Sequence, residues 1–225
     1  MKTIIVTGAG TGLGKELALL LAKQGYHMIL TGRTEDKLKE VQTHIENSGG
    51  SSDRVVLDLR NLEDIKEKAL LISKKHDIYG LVNNAGVGHF GPFSAISDKE
   101  IEEMFQANVL GTIHMTKAIL PYLERNEDGL VMNIVSTAGL RGKKNEAVYC
   151  ASKFAVRGFT ESLQKEYEDT GIRFVAAYMG GMNTPFWEKS DHVSDPSRLR
   201  SSAEVADIIM NNLEKNEIII ESKKS

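Results

Sequence analysis

Cysteine is almost missing from this 225-residue chain, where Cys150 stands alone. One thiol excludes an internal disulfide and any multi-cysteine metal site, and it suits a reducing compartment. A charge excess of one sign is missing too. Lys plus Arg number 28 and Asp plus Glu 31, a formal net charge of −3. That balance speaks against a nucleic-acid binder, which carries a basic excess. A hydrophobic content of 41% speaks against an acidic disordered chain. Long apolar runs are also lacking. Ile4–Val6 gives way to Thr7 and Gly8, too short for a secretory signal. LALLLA, Leu17 to Ala22, falls far short of the roughly 18–20 residues that cross a membrane. A soluble cytoplasmic protein is the expectation. The six histidines show no metal-ligand spacing, so no metal is expected. No linker, repeat or low-complexity tract breaks the chain, and one domain over residues 1–225 is expected. Such a length buries roughly 70–75% of its unfolded surface without any staple.

What is present is alternation. Strand candidates at Thr3–Thr7, Tyr26–Thr31, Arg54–Leu57, Tyr79–Asn83, Leu130–Val135, Arg173–Tyr178 and Glu217–Ile220 are separated by helical stretches. Those stretches are Thr11–Gln24, Thr34–Asn47, Asn61–His76, a long Ser97–Leu123, Tyr149–Glu168 and Ser202–Leu213. Runs such as IIV, VVL, LVMNIV and FVAAY are apolar without a break, as strands buried on both faces must be. The pattern predicts a doubly wound α/β fold: a mostly parallel seven-stranded sheet with helices on both faces. The one long irregular stretch is Met179–Arg200, and long loops in compact domains are often functional.

TGAGTGLG, Thr7 to Gly14, joins the first strand to the first helix. Gly8, Gly10, Gly12 and Gly14 permit a sharp turn and close approach of a ligand. The helix that follows offers free N–H groups and a positive dipole end to a phosphate. A strict G-x-G-x-x-G is absent, because position 13 is Leu13. A P-loop also fails, because Ala9 and Glu16 stand where Gly and Ser or Thr are needed.

T-G-x-x-x-G-x-G after the first strand resembles the cofactor turn of the short-chain dehydrogenases/reductases. N-N-A-G at Asn83–Gly86, N-V-x-G at Asn108–Gly111, S-T-A-G at Ser136–Gly139, Y-x-x-x-K at Tyr149–Lys153 and T-P at Thr184-Pro185 extend the resemblance in that family's order. It implies a Rossmann-type fold and hydride transfer between a nicotinamide and a carbonyl or alcohol. Tyr149 would be the acid/base. A free tyrosine has a pKa of about 10, poorly matched to neutral pH. Lys153, one helical turn on, would favour the phenolate and lower that value. The resemblance further implies that Lys153 holds the nicotinamide ribose, that Ser136 bonds the substrate oxygen, and that Asn108 holds a water linking Lys153 to solvent.

The cofactor contacts implied are Gly8, Gly10, Thr11, Gly12, Leu13 and Gly14 in the turn, with Asp58 and Leu59 at the adenine. Asn84, Ala85 and Gly86 would line the cleft, with Tyr149, Lys153, Gly180, Met182 and Thr184 at the nicotinamide end. No carboxylate stands at the tip of the second strand; Gly32 occupies that place and Arg33 follows. A guanidinium can grip a 2′-phosphate in two places, which favours NADP(H) over NAD(H). A solvated surface arginine is the alternative. Met179 replaces the family's usual proline, and a slightly altered loop with a competent site is expected.

The substrate pocket is expected to draw on His89, Phe90, Phe93, Leu140, Met182, Phe186 and Trp187. These are mostly apolar, so an uncharged, fairly hydrophobic carbonyl is the expected substrate. His89 is either a pocket donor or a surface histidine. The helices Ser97–Leu123 and Tyr149–Glu168 have apolar positions beyond one face, and the resemblance implies a homodimer or homotetramer through them; ordinary core burial is the alternative. From a different class, a non-catalytic dinucleotide-binding redox sensor or partner-binding protein is the competing function. Relatives of that kind usually lose the tyrosine or lysine, and this chain keeps both.

Overall fold

A computed structural model of the chain describes residues 1–188, 190 and 192–222. Lys189 and Asp191, inside the expected irregular stretch Met179–Arg200, lie outside the described residues. In chain order the first half runs β1 (Lys2–Thr7), α1 (Gly12–Lys23), β2 (His27–Gly32), α2 (Glu35–Asn47), β3 (Ser51–Val56), α3 (Leu62–Ser73) and β4 (Asp77–Asn83). Then follow α4 (Asp98–Met104), a π-helical turn (Phe105–Leu110), α5 (Gly111–Asn126), β5 (Gly129–Ile134), α6 (Ala147–Glu166) and β6 (Ile172–Met179). Two-residue strands β7 (Met182–Asn183) and β8 (Arg200–Ser201), α7 (Ser202–Met210) and β9 (Glu217–Ile220) complete it.

Seven strands form one sheet in the order β3-β2-β1-β4-β5-β6-β9, and every pair is parallel. The order reverses between β1 and β4. In such sheets the carboxyl ends of the strands flanking that reversal open a crevice for ligands.

The alternation of side chains along each strand sorts the core into two layers. Ile4 and Val6 of β1, with Met28 and Leu30 of β2, pack on Leu17 and Leu21 of α1, Val41 of α2 and Ile209 of α7. Ile5 and Ile29 point the other way, against Ile65 of α3, Ile119 of α5 and Leu163 of α6. The doubly wound expectation therefore holds in its strand number, sense and covering.

Most element ends differ from expectation by one to three residues, and three differences bear on the fold. β3 begins at Ser51 rather than Arg54 and ends at Val56, because as an edge strand it carries polar residues that hide its start. The single helix expected over Ser97–Leu123 is continuous in path but contains the π-helical turn, which places Asn108 and Val109 in the interior. Within the stretch Met179–Arg200, expected to be irregular, Met182–Asn183 form a short strand that pairs in parallel with Arg200–Ser201.

A buried polar ladder crosses the helix-facing side near the strand ends. Asn83 donates to Thr116 Oγ1 at 3.0 Å and to Asn133 Oδ1 at 2.8 Å. Asn133 donates in turn to Thr160 Oγ1 at 2.8 Å. The ladder ties β4 and β5 to α5 and α6, the helices that carry the site. Asn133→Ala removes two of these bonds and strands their partners in the interior. Urea unfolding should show a loss of roughly 2–3 kcal/mol; an unchanged midpoint and slope would mean the ladder contributes nothing.

Candidate active site

At the carboxyl ends of β1 and β4 the chain encloses a cavity of about 590 Å³. Its floor is the glycine turn. Gly8 and Gly12 have φ of +65° and +55°, conformations that favour glycine. A side chain on Gly14 would stand 2.4 Å from both Gly8 O and Asn84 Nδ2, so α1 can pack this closely only with glycine there. The turn is clasped from β4. Thr7 Oγ1 accepts from the Asn84 and Ala85 amides, each at 3.0 Å. Asn84 Nδ2 donates to Thr7 O at 3.0 Å and to Gly8 O at 3.2 Å. Asn84 is therefore held as a positioning residue, with its backbone on the cavity wall.

Thr11, the residue that caps α1, makes no side-chain cap bond, and the first turn of α1 holds no acidic residue. Free amide hydrogens and the positive end of the helix therefore face the cavity. Beyond the tip of β2, Arg33 lines the same cavity, is exposed, and makes no side-chain hydrogen bond or ion pair among the described residues. Lys37 lies beside it, its Cβ 3.0 Å from where a side chain on Gly10 would begin. On the far wall, Asp58 is gripped by Arg60 through contacts of 2.6–3.1 Å, which hold its carboxyl below the usual carboxylate range. Uncapped amides, a close glycine turn and an unpaired guanidinium fit the phosphates of a dinucleotide.

At the other end stand Ser136, Tyr149 and Lys153. Ser136 follows β5 with φ of +108° and ψ of 150°, a region almost confined to glycine. Hydrogen bonds on both sides hold it there, from Val135 N to Ala177 O at 2.8 Å and from Gly139 N to Ser136 O at 2.9 Å. Its hydroxyl accepts from Ala138 N at 3.1 Å. Tyr149 lies in the first turn of α6 and lines the cavity. Lys153 is 6% exposed, donates to Ile134 O at 3.0 Å and sits 5.8 Å from the centre of the Tyr149 ring.

The electrostatics correct one expectation. Burial pushes the Tyr149 phenol well above the ordinary tyrosine value, against the pull of the Ser136 hydroxyl and with the help of the Glu146 carboxylate. Lys153 is not among the groups that pull it down, and burial lowers the lysine's own pKa to about 8. The phenol keeps its proton at neutral pH.

Asn108 is buried within the π-helical turn. Its Oδ1 accepts from Val87 N at 2.8 Å, and its Nδ2 donates to Val87 O at 2.9 Å and Ser152 Oγ at 3.1 Å. Both amide hydrogens are engaged in bracing the segment after β4 against α6.

Most expected site residues share the cavity wall: Gly8, Gly10, Thr11, Gly12, Leu13, Arg33, Asp58, Leu59, Asn84, Ala85, Gly86, Ser136, Tyr149, Lys153, Gly180, Met182, Thr184, Phe186 and Trp187. Phe90 closes over them, its ring 5.3 Å from that of Tyr149 and 5.2 Å from that of Trp187. Gly14 and Asn108 act from behind the wall. Three pocket residues are placed elsewhere. His89 is tied to α4 through Glu103 at 3.0 Å and Glu100 at 3.4 Å. Phe93 is 66% exposed, and Leu140 packs with Val135 and Tyr178. Met179 extends β6 and is buried, after which Gly180 N donates to Ile220 O at 2.8 Å.

Glu146 and His192 also line the wall, without being among the expected residues. Glu146, 8% exposed, receives His192 Nε2 at 3.0 Å, and the His192 ring stacks on Phe90 at 4.8 Å. They come from segments 46 positions apart with no local motif; only the three-residue offset of Glu146 from Tyr149 hinted at it.

The family profile described as short chain dehydrogenase matches residues 2–194. The chain belongs to that family. It is 26% identical over 226 residues to the sepiapterin reductase of Chlorobaculum tepidum, covering 97% of this chain and 93% of the relative. It is 35% identical over 190 residues to an uncharacterized oxidoreductase of Listeria monocytogenes, covering 83% and 77%. Among solved structures, an alcohol dehydrogenase from the archaeon Thermococcus sibiricus, complexed with 5-hydroxy-NADP, superposes with a TM-score of 0.88. That pair is 26% identical, with 98% of this chain and 96% of the other covered. The chain is thus an oxidoreductase of the short-chain dehydrogenase family with a dinucleotide site.

Lys153 yields a test of the burial itself. Its folded pKa near 8 lies below the free value of 10.5, so the folded chain binds fewer protons than the unfolded chain between those limits. The cost of burying its ammonium is full below pH 8 and fades as pH rises toward 10.5. The stability difference between Lys153→Met and the parent should therefore shrink over that window by roughly 3 kcal/mol, read from urea unfolding in a pH series; a pH-independent difference would contradict the buried ammonium.

Proposed function

We propose that this oxidoreductase is NADP(H)-dependent and transfers hydride between the nicotinamide and an uncharged, fairly hydrophobic carbonyl or secondary alcohol. The observation that carries the reading is one cavity with an unpaired Arg33 and a glycine turn at one end and Tyr149, Ser136 and Lys153 at the other. Solved relatives at 26% identity include a serine dehydrogenase complexed with NADP+, in line with the reading of Arg33.

The bound nicotinamide supplies the hydride. The chain supplies the rest. Thr11, Gly12 and Leu13 would receive the pyrophosphate at the start of α1, and Arg33 would grip the 2′-phosphate. Ser136, held in its strained backbone, directs its hydroxyl toward the substrate oxygen. Tyr149, a protonated phenol at neutral pH, donates its proton from Oη to that oxygen as the carbonyl is reduced. Lys153, fixed on Ile134 O, would hold the ribose. The aromatic wall of Phe90, Phe186 and Trp187 excludes water and selects an apolar substrate. Outward-facing Phe105 and Leu110, in and around the π-helical turn, and Phe154 of α6 are each at least 36% exposed, which supports a homodimer or homotetramer through these helices.

Fluorescence titration with NADPH and NADH tests the cofactor. NADPH should bind the parent more tightly, and Arg33→Ala should weaken NADPH by at least tenfold while sparing NADH. A parent that prefers NADH would overturn the assignment. Tyr149→Phe should lower kcat by about a thousandfold or more with cofactor affinity nearly intact. Comparable turnover in that variant, measured with a panel of apolar ketones, would remove Tyr149 as the acid/base.

A further inference from the structure

A second cluster lies at the opposite end of the sheet from the cavity. His27 is the first residue of β2, and five residue steps, about 16 Å of strand at 3.3 Å each, separate it from Gly32 at the cavity. Asp53 stands on the neighbouring β3, and His76 lies in the turn between α3 and β4. His27 is 8% exposed. Its Nδ1 is 2.7 Å from Ser51 Oγ, directly across the β2–β3 pairing. Its Nε2 is buried and has no hydrogen-bond partner among the described residues.

That unpartnered nitrogen points at Asp53, with Nε2 to Oδ2 at 3.6 Å, too long for a hydrogen bond. His76 Nε2 is 3.1 Å from the same carboxylate oxygen. The two imidazoles stack at 4.6 Å with 13° between their planes. All three donor atoms lie within 4.8 Å of one another.

We propose that His27, Asp53 and His76 form a binding site for a divalent ion of the zinc class. Two nitrogens and one carboxylate oxygen are a donor set that zinc takes. Ligands 2.0–2.1 Å from a tetrahedral ion are about 3.3 Å apart, and the two measured edges bracket that figure. Ser51 supplies the outer contact. A hydrogen bond at Nδ1 leaves the Nε2 lone pair free and fixes the ring, the usual support of a metal-bound histidine. Closing the third edge needs a turn of His76, which is partly exposed and follows the end of α3, while His27 and Asp53 stay on paired strands. Asp53 is half exposed, so an ion has an entry path and an open fourth position. The ligands come from three separate elements, which is why no metal-ligand spacing shows in the chain. At this distance from Tyr149 the ion would fasten the edge strand β3 and the α3–β4 turn to β2 and would take no part in hydride transfer.

The test uses untagged protein stripped with a chelator, titrated with zinc by calorimetry and with cobalt by visible absorption. One ion should bind per chain and raise the unfolding temperature, and the chelator should reverse the shift. His76→Gln changes a partly exposed side chain and Asp53→Asn an exposed one, and each should weaken zinc by at least tenfold while leaving NADPH binding unchanged. Ser51→Ala, which frees Nδ1, should weaken zinc about tenfold. No saturable binding to the parent at millimolar zinc, or binding less than tenfold weaker in both His76→Gln and Asp53→Asn, overturns the proposal.

Discussion

The clasp between Thr7 and the Asn84–Ala85 turn is the constraint on which the cavity depends. Two parallel strands diverge beyond their last shared pair, and nothing in a ladder controls how far. Here one hydroxyl accepts from two successive amides, and one side-chain amide returns to two carbonyls. The gap between β1 and β4 is thereby set by four short contacts. Gly14 fits that spacing with no room to spare. Everything downstream inherits the result: the start of α1, the direction of its amides, and the distance from those amides to the far wall at Tyr149.

Much of this was legible in the chain because local chemistry carries it. Unbroken apolar strands, glycines at the first turn and the ordered motifs from Thr7 to Pro185 all depend on neighbours in sequence. The failures share a cause. β3 was trimmed because Ser51, Ser52 and Asp53 lack the apolar signal of an inner strand. Leu140 and Phe93 are apolar, yet what an apolar side chain covers is decided by packing. His89 reads in the chain as either a pocket donor or a surface histidine, because only the fold brings Glu100 and Glu103 to its ring. Glu146 and His192 escaped notice for the converse reason, since their partnership exists only in space.

The expected lowering of the tyrosine pKa shows the same limit. Spacing places Lys153 one turn from Tyr149, and that is correct. Spacing does not say that both are buried, nor that the ammonium is anchored on Ile134 O. Desolvation then works against the charged forms of both groups, and the sequence contains no measure of desolvation. The consequence is chemical: a phenol that keeps its proton at neutral pH is suited to giving one away.

The π-helical turn between α4 and α5 reaches further than its six residues. An α-helix advances about 100° per residue, and a π-type insertion adds a residue to one turn. The two halves of the long helical path are therefore out of phase. Side chains that would share a stripe in an unbroken helix are dealt to different neighbours. Asn108 can turn inward to the segment after β4 while Phe105 and Leu110, on the same turn, remain at the surface. One extra residue lets a single helix brace the cavity and offer an apolar face to the outside at the same level of the fold.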